Sequence, residues 1–240
     1  MPQLIFNMAT VQRRKGMFLE VLKALAAQEV KCDMINIAMS YDNFDAEVVL
    51  FLRKNFKRFH VKWKNGMTAE YKLYAMGSAS LKENPDAYFI TFDDDIIYPP
   101  DYSQGIIQGI EKYNREAVVG FHGIRFNKFP VRNYKAQKTM YQYFKDVPQD
   151  TEAHVIGTGC MGFYAKTLFD QGFDFPSLNR RLNCLDGAFG RWCRDNKVKT
   201  IVLKHEADWM KIYPDSQTPD ALWRKSYAER YKTKLSFLSQ

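Results

Sequence analysis

The sequence predicts an α/β fold: a single domain with a mostly parallel central sheet and helices on both faces. Short apolar runs alternate with helical patterns through the first half of the chain, and strands alternating with helices imply right-handed βαβ crossovers. One of those runs, residues 88–92 (YFITF), is aromatic or β-branched throughout, the composition of a central strand. No Pro/Gly/Ser-rich linker divides the 240 residues, and a chain of that length buries roughly 70–75% of its unfolded surface in one core.

Residues 4–9 (LIFNMA) have the pattern of a buried strand, and Phe18, Leu19, Leu22, Leu25 and Ala26 then follow the spacing of one helix face. Met34–Met39 (MINIAM) is a second strand, Ala46–Asn55 a second helix, and residues 60–63 a short third strand. A helical pattern over 69–81 ends near Asn84-Pro85, because the residue before a proline is pushed out of the α region. After 88–92, Pro99-Pro100 restarts the chain as a helix over 102–113, and 117–121 is another strand. The second half is less regular. Residues 123–150 carry six basic side chains (Arg125, Lys128, Arg132, Lys135, Lys138, Lys145) on weak periodicity and are expected as a long loop. Glycines at 157, 159 and 162 within 155–165 (VIGTGCMGFYA) suggest a tight turn entering a strand. Residues 185–196 read as a helix with Asp186 near its start, and 198–203 as a strand. Thr218-Pro219-Asp220 is a helix start: Thr as N-cap, Pro at the first position, an acid in the first turn.

Composition bounds the partners. The balance is 35 basic against 27 acidic residues, a formal charge of +8, with 15% aromatics. A basic, aromatic-rich chain suits nucleic acid, an anionic membrane or a phosphorylated small molecule, and composition does not choose among them. With 26% charged and 46% hydrophobic residues, the chain is neither disordered nor a disulfide miniprotein. Cys32, Cys160, Cys184 and Cys193 form no C-x-x-C pair, which argues against a zinc ribbon or a thioredoxin-like site. The opening MPQLIFNMAT lacks the charged and apolar blocks of a secretory signal. No run approaches the ~20 apolar residues of a membrane span. The expectation is a cytoplasmic chain with reduced thiols.

Three consecutive aspartates, Asp93, Asp94 and Asp95, follow the 88–92 strand and precede Ile96-Ile97-Tyr98. Ligands of parallel sheets bind beyond the carboxyl ends of the strands, where strand order reverses. In an extended chain Asp93 and Asp95 point to one side and Asp94 to the other. Carboxylates held together in partial desolvation repel, so raised pKa values, arginines or a divalent cation must compensate. Mg²⁺ and Mn²⁺ prefer carboxylate oxygens, taking one or two from protein and the rest from substrate phosphates and water. The competing reading is an acidic turn that caps the next helix, but a solvated turn would not run on as Ile-Ile-Tyr.

A strand ending in D-x-D inside a βαβ-rich N-terminal half resembles the glycosyltransferases of the GT-A fold. TFDDDIIYP (91–99) is similar to the DDD-I-x-Y-P form of bacterial polysaccharide and lipopolysaccharide sugar transferases. Asn7-Met-Ala-Thr-Val-Gln-Arg13 and the helix after it resemble that family's approach to the nucleotide pocket. GTGCMGFYAKTL (157–168) resembles the segment lining the acceptor side. CLDGAFGRWCRDNKVK (184–199) resembles the acid–helix–strand element that often reads D-D-x-W; here Asp186 is its single acid. The likeness runs over residues 3–206 and implies a GT-A-like (Rossmann-like) domain.

The resemblance also implies site roles. The donor is a nucleotide-diphosphate-sugar, a UDP-sugar by preference, bound with Mn²⁺ or Mg²⁺. Asp95 is the first choice as metal ligand. Asp93 shares the metal or contacts the ribose, and Asp94 holds ribose or sugar. His205, after the 198–203 strand, matches the late His that completes the metal shell in several GT-A branches; otherwise it is a surface or core side chain. Thr10, Arg13 and Lys72 are donor-binding candidates, with Arg13 and Lys72 favoured over Arg14 and Lys15. Asp186 is either the general base that takes a proton from the acceptor hydroxyl or only a helix cap. Gly159 and Trp209 fall on the acceptor side, Trp209 as a platform for a sugar ring. Trp192, at helical spacing with Phe189, and His122 are expected in the core.

The implied acceptor is a glycan or lipid-linked glycan at a cell surface. The organisation is then a nucleotide-sugar-binding half (1–122), an acceptor-side half (123–218) and a C-terminal basic helix (219–240). The last mixes aromatics with Arg224, Lys225, Arg230, Lys232 and Lys234. Such a helix either packs on the core or touches the inner face of the membrane peripherally. Two rivals are weaker. A sugar-phosphate nucleotidyltransferase usually carries a Gly-rich basic loop after the first strand, where Gly16 is the only nearby glycine. A nucleic-acid-binding protein gains nothing from three aspartates at a strand end, so nucleic acid is not an expected partner.

Overall fold

The computed structural model describes residues 2–11, 14–39, 45–63, 78–129, 131, 138–174 and 185–214. The first half lays down β1 (Gln3–Thr10), α1 (Lys15–Ala26), β2 (Met34–Met39), α2 (Ala46–Asn55), β3 (Phe59–Trp63), α3 (Ser78–Glu83) and β4 (Ala87–Phe92). The strands β3, β2, β1 and β4 run parallel and side by side in that order. All six residues of β2 and of β4 are buried. That is why both read as mostly apolar runs, broken only by Asn36 and Thr91, instead of alternating ones.

The polypeptide continues through β5 (Ile96–Ile97), α4 (Tyr102–Lys112) and β6 (Ala117–Gly120). Then come β7 (Gly123–Phe126), β8 (Lys138–Tyr141), β9 (Thr151–Glu152), β10 (Val155–Ile156) and β11 (Met161–Tyr164). The described chain closes with α5 (Ala165–Phe169), α6 (Leu185–Asp195), β12 (Lys199–Val202) and β13 (Lys211–Ile212). The main sheet has eight strands in the order β3-β2-β1-β4-β11-β6-β12-β9. Only β11 and β9 run against the rest, so the sheet is mostly parallel, as expected.

Side-chain alternation divides the core between the two faces. Leu4, Phe6 and Met8 of β1 pack with Phe18, Leu22 and Leu25 of α1, with Leu52 of α2 and with Ile106 and Ile110 of α4. On the other face Ile5 and Phe89 meet Leu81 of α3, Leu168 of α5 and Phe189 and Cys193 of α6. Helices therefore cover both faces. Trp192 packs against this second cluster, its ring 4.8 Å from that of Phe173. Two buried amides inside the sheet are matched to each other. Asn36 Nδ2 donates to Asn7 Oδ1 at 2.9 Å across the β1–β2 register, which spares both amides an unsatisfied burial.

Two features differ from expectation. Residues 123–150 are not one long loop: β7 pairs antiparallel with β10 and with β8, making a separate three-stranded sheet. Four-residue strands are too short to show a period, so their pairing is set by tertiary contacts. The other is a two-stranded ribbon, β13 with β5, which lays the chain after β12 across the segment that follows the aspartates. The helix expected over 69–81 is present as α3 from Ser78; residues 69–77 lie outside the described residues. So do Cys184 and all of residues 219–240, where a basic helix is expected. Cys32, Cys160 and Cys193 form no disulfide among the described residues. No helix among the described residues is long and apolar enough to cross a membrane.

Strand β1 has β2 on one side and β4 on the other, both parallel to it. The direction in which the chain adds strands reverses there, and a crevice opens beyond Thr10 and Phe92. One close approach holds the far wall of the sheet. A Cβ on Gly190 of α6 would lie 2.4 Å from the His154 carbonyl oxygen, whereas one on Gly187 would meet nothing within 4 Å. Gly190→Ala should therefore lose about 1–3 kcal/mol of stability by backbone overpacking. Gly187→Ala should gain up to about 1 kcal/mol of helix propensity. Urea unfolding of the two variants beside the parent checks the opposite signs.

Candidate active site

Strand β4 ends at Phe92, and the chain turns through Asp94 and Asp95 before β5. The turn breaks the alternation expected of an extended chain, and this corrects the grouping of the three aspartates. Asp94 and Asp95 face the same guanidinium, while Asp93, still near enough to act on Arg14 and Asp94, has its Oδ2 against Gly159. Arg14 Nη1 bonds the Asp94 carboxylate and Arg14 Nη2 lies 3.0 Å from Asp95 Oδ2. Asp94 is only 4% exposed. Its burial pushes the carboxyl up, and Arg14 opposes that push. Burial likewise works against the Arg14 charge, but Asp94 and Asp95 outweigh it and hold the guanidinium protonated. Thr10, at the buried end of β1, lies beside Asp94 and favours its ionised form, although its hydroxyl makes no full hydrogen bond among the described residues.

Asp93 is fixed by the 157–160 turn. Its backbone N–H donates to the Tyr98 hydroxyl oxygen at 2.7 Å, and that hydroxyl donates to the Gly159 carbonyl at 2.5 Å. Burial pushes the Tyr98 phenol well above its ordinary value, so it stays a donor. A Cβ on Gly159 would lie 1.9 Å from Asp93 Oδ2; only glycine lets the carboxylate sit there. The next residue back, Thr158, donates from its N–H (3.2 Å) and its hydroxyl (2.8 Å) to Asp186 Oδ1. One short turn thus holds Asp93 on one side and Asp186, from the first turn of α6, on the other. Tyr143 stands over the group. Its phenol is pushed up by burial and then by Asp95, Cys160 and Asp93. The half-buried His122 ring is 5.9 Å from that of Tyr143, which places His122 at the rim of this group and not deep in the core.

The structure does not bring His205 to the aspartates. Its Nδ1 faces the Leu203 carbonyl at 2.8 Å and its Nε2 the Gln142 carbonyl at 3.2 Å. At His205 the chain after β12 bridges to Val147, and it reaches the segment beside the aspartates only later, at β13; this removes His205 from the metal set expected with Asp93 and Asp95. Trp209 is also apart. Its Nε1 donates to Asp101 at 3.1 Å and its ring packs 4.7 Å from that of Phe121. His205 and Trp209 share a cleft of about 520 Å³ with Gln104, Gln108 and Lys112, and its walls exclude the acidic turn. Arg13 and Lys72 lie outside the described residues. Arg14, ranked below Arg13 as a donor-binding candidate, stands at the centre of the group, and Tyr98 and Thr158 join it without having been expected there. Tyr98 carried a signal, as the Tyr of the DDD-I-x-Y-P pattern; Arg14 and Thr158 carried none beyond their nearness to a strand end and a glycine turn.

Among the described residues no three His, Cys, Asp or Glu side chains form a complete metal cage. Asp94 and Asp95 nevertheless converge on one cation, the Arg14 guanidinium. Two carboxylates at one cationic point suit Mg²⁺ or Mn²⁺, whose remaining positions are filled by water and substrate phosphates.

No protein-family profile matches the sequence, and no curated protein matches it either. Solved structures do. GalNAc-T7 bound to UDP, GalNAc and Mn²⁺ superposes with a TM-score of 0.62 at 7% identity, over 84% of this chain and 42% of that one. S. aureus TarS superposes with a TM-score of 0.58 at 14% identity, over 86% of this chain and 36% of TarS. Its 1–349 fragment superposes with a TM-score of 0.57, also at 14% identity, over 86% of this chain and 59% of the fragment. The chain has a GT-A-like fold. It spans less than two thirds of each of these neighbours.

Tyr98→Phe should leave the Asp93 N–H and the Gly159 carbonyl without their shared partner. We expect a loss of about 1–3 kcal/mol with unchanged far-UV circular dichroism; an unchanged urea midpoint would show that the hydroxyl holds nothing.

Proposed function

We propose that the chain is a metal-dependent glycosyltransferase that moves a sugar from a nucleotide-diphosphate donor, a UDP-sugar, to a hydroxyl of a surface glycan. The observation that carries this reading is the convergence of Asp94 and Asp95 on one cationic point beyond β1 and β4, where a parallel sheet binds its ligand. The GT-A-like fold and a neighbour bound to UDP, GalNAc and Mn²⁺ support it.

The residues divide the work. Asp94 and Asp95 hold the divalent ion, with Asp95 the more open of the two at 21% side-chain exposure against 5%. When bound, that ion supplies Lewis-acid stabilisation of the charge gathering on the diphosphate leaving group. Asp93, pinned by Tyr98 and abutting Gly159, is placed for the ribose or the sugar. Thr10 lines the donor side at the end of β1. Asp186 sits across the 157–160 turn with Oδ1 fixed by Thr158. There it takes the proton from the acceptor hydroxyl as the new C–O bond forms and the bond from sugar to phosphate breaks. Arg13 and Lys72 remain candidates for the diphosphate. The acceptor is a glycan or lipid-linked glycan, and the 219–240 basic helix is the candidate for contact with a membrane face.

Nucleotide sugars should raise the melting temperature only with Mn²⁺ or Mg²⁺ present. At a hundredfold excess over Kd the gain is about 2.7 kcal/mol, worth roughly 2–4 °C per kcal/mol in a chain of this size. Asp95→Ala should abolish the metal-dependent part. Absence of any metal-dependent shift with every nucleoside diphosphate tried would sink the reading. A shift with a nucleoside triphosphate plus a sugar phosphate would favour nucleotidyl transfer.

A further inference from the structure

Arg14 occupies an electrostatically poor position. It is the N-cap residue of α1, makes no side-chain capping bond, and no acid stands in the first helical turn. A cation at the positive end of a helix is unfavourable by the helix dipole, and the Arg14 side chain is only 14% exposed. What offsets this is the acidic turn, 80 residues away in sequence. A divalent ion at this turn would bind the same two carboxylates that Arg14 engages, so guanidinium and metal compete for them.

The guanidinium's need for a partner decides the outcome of that competition. Asp94, Asp95 and Arg14 are joined by Asp93, which also acts on Arg14 and on Asp94. A divalent ion alone on Asp94 and Asp95 takes the two carboxylates that Arg14 pairs with, and a largely buried ion that loses its partners is unfavourable. A nucleoside diphosphate brings negative charge and offers phosphate oxygens, which the planar guanidinium fork matches as well as it matches carboxylates.

We propose that Arg14 is the resident counter-ion of the Asp94/Asp95 pair and passes from those carboxylates to the donor diphosphate as the divalent ion binds. It is a positioning residue that makes cation and nucleotide binding mutually dependent. The inference rests on the donor-site reading above. Linkage requires the coupling to be reciprocal: the diphosphate tightens the ion by the factor by which the ion tightens the diphosphate.

The test is Mn²⁺ binding to the full chain, followed by the electron paramagnetic resonance signal of free aquo-Mn²⁺. It is run without nucleotide, with UDP, and with inorganic pyrophosphate as a probe independent of the base. Protein-free titrations correct for Mn²⁺ held by the phosphates in solution. The parent should bind Mn²⁺ weakly alone and about tenfold or more tightly with either diphosphate. Arg14→Gln should bind Mn²⁺ alone at least about tenfold more tightly than the parent, keep only the smaller enhancement that phosphate oxygens on the ion supply, and bind UDP more weakly. Arg14→Lys, which keeps the charge and loses the fork, should fall between them. Equal Mn²⁺ affinity and equal enhancement in parent and Arg14→Gln would overturn the inference and leave the donor site standing. No Mn²⁺ binding to either protein under any condition would overturn both. If Arg14→Gln does not fold, the parent decides: Mn²⁺ affinity unaffected by UDP and pyrophosphate overturns the coupling.

Discussion

The structure turns on how adjacent carboxylates are tolerated at the end of a buried strand. Asp94 is almost wholly out of water, and a buried carboxylate without a partner either neutralises or destabilises the fold. Arg14 supplies the partner from the far side of the crevice, and so ties the end of β1 and the start of α1 to the end of β4. The reversal of strand order makes the crevice; this ion cluster gives it chemistry. In the proposed reading, a pair of carboxylates without a full ligand cage suits a metal that arrives with its substrate.

The second half of the chain serves the first. Strand β11 inserts antiparallel between β4 and β6, which delivers the 157–160 turn to the crevice. Through Gly159 and Tyr98 that turn fixes Asp93, and through Thr158 it fixes Asp186. Two acids far apart in sequence are thus set by one glycine-containing turn. The β13–β5 ribbon adds a cover, with the Tyr213 N–H donating to the Asp95 carbonyl at 2.9 Å. Asp93 and Asp186 are thus anchored by hydrogen bonds and close packing around one turn.

Much of this was legible in the amino-acid order. Met34–Met39 and residues 88–92 are mostly apolar because both faces of their strands are covered, and the aromatic and β-branched make-up of 88–92 placed it centrally. The acidic run stood out as a candidate site because it ends that strand. What escaped was tertiary. A charged residue ahead of a helix looks like solvated charge, and nothing local links Arg14 to Asp94. The side to which each aspartate points depends on a turn that no periodicity reports. Strands β7 and β8 were hidden by their brevity, and His205 was misplaced because the course of the chain after β12 follows its bridge to Val147, not the strand itself.

The most direct test of the central claim is anomalous diffraction from crystals grown with MnCl₂ and UDP. The account predicts a manganese peak bonded to Asp95 and the UDP phosphates, with Arg14 turned from the aspartates to the diphosphate. UDP bound with no manganese at the acidic turn, and Arg14 still on both carboxylates, would contradict it.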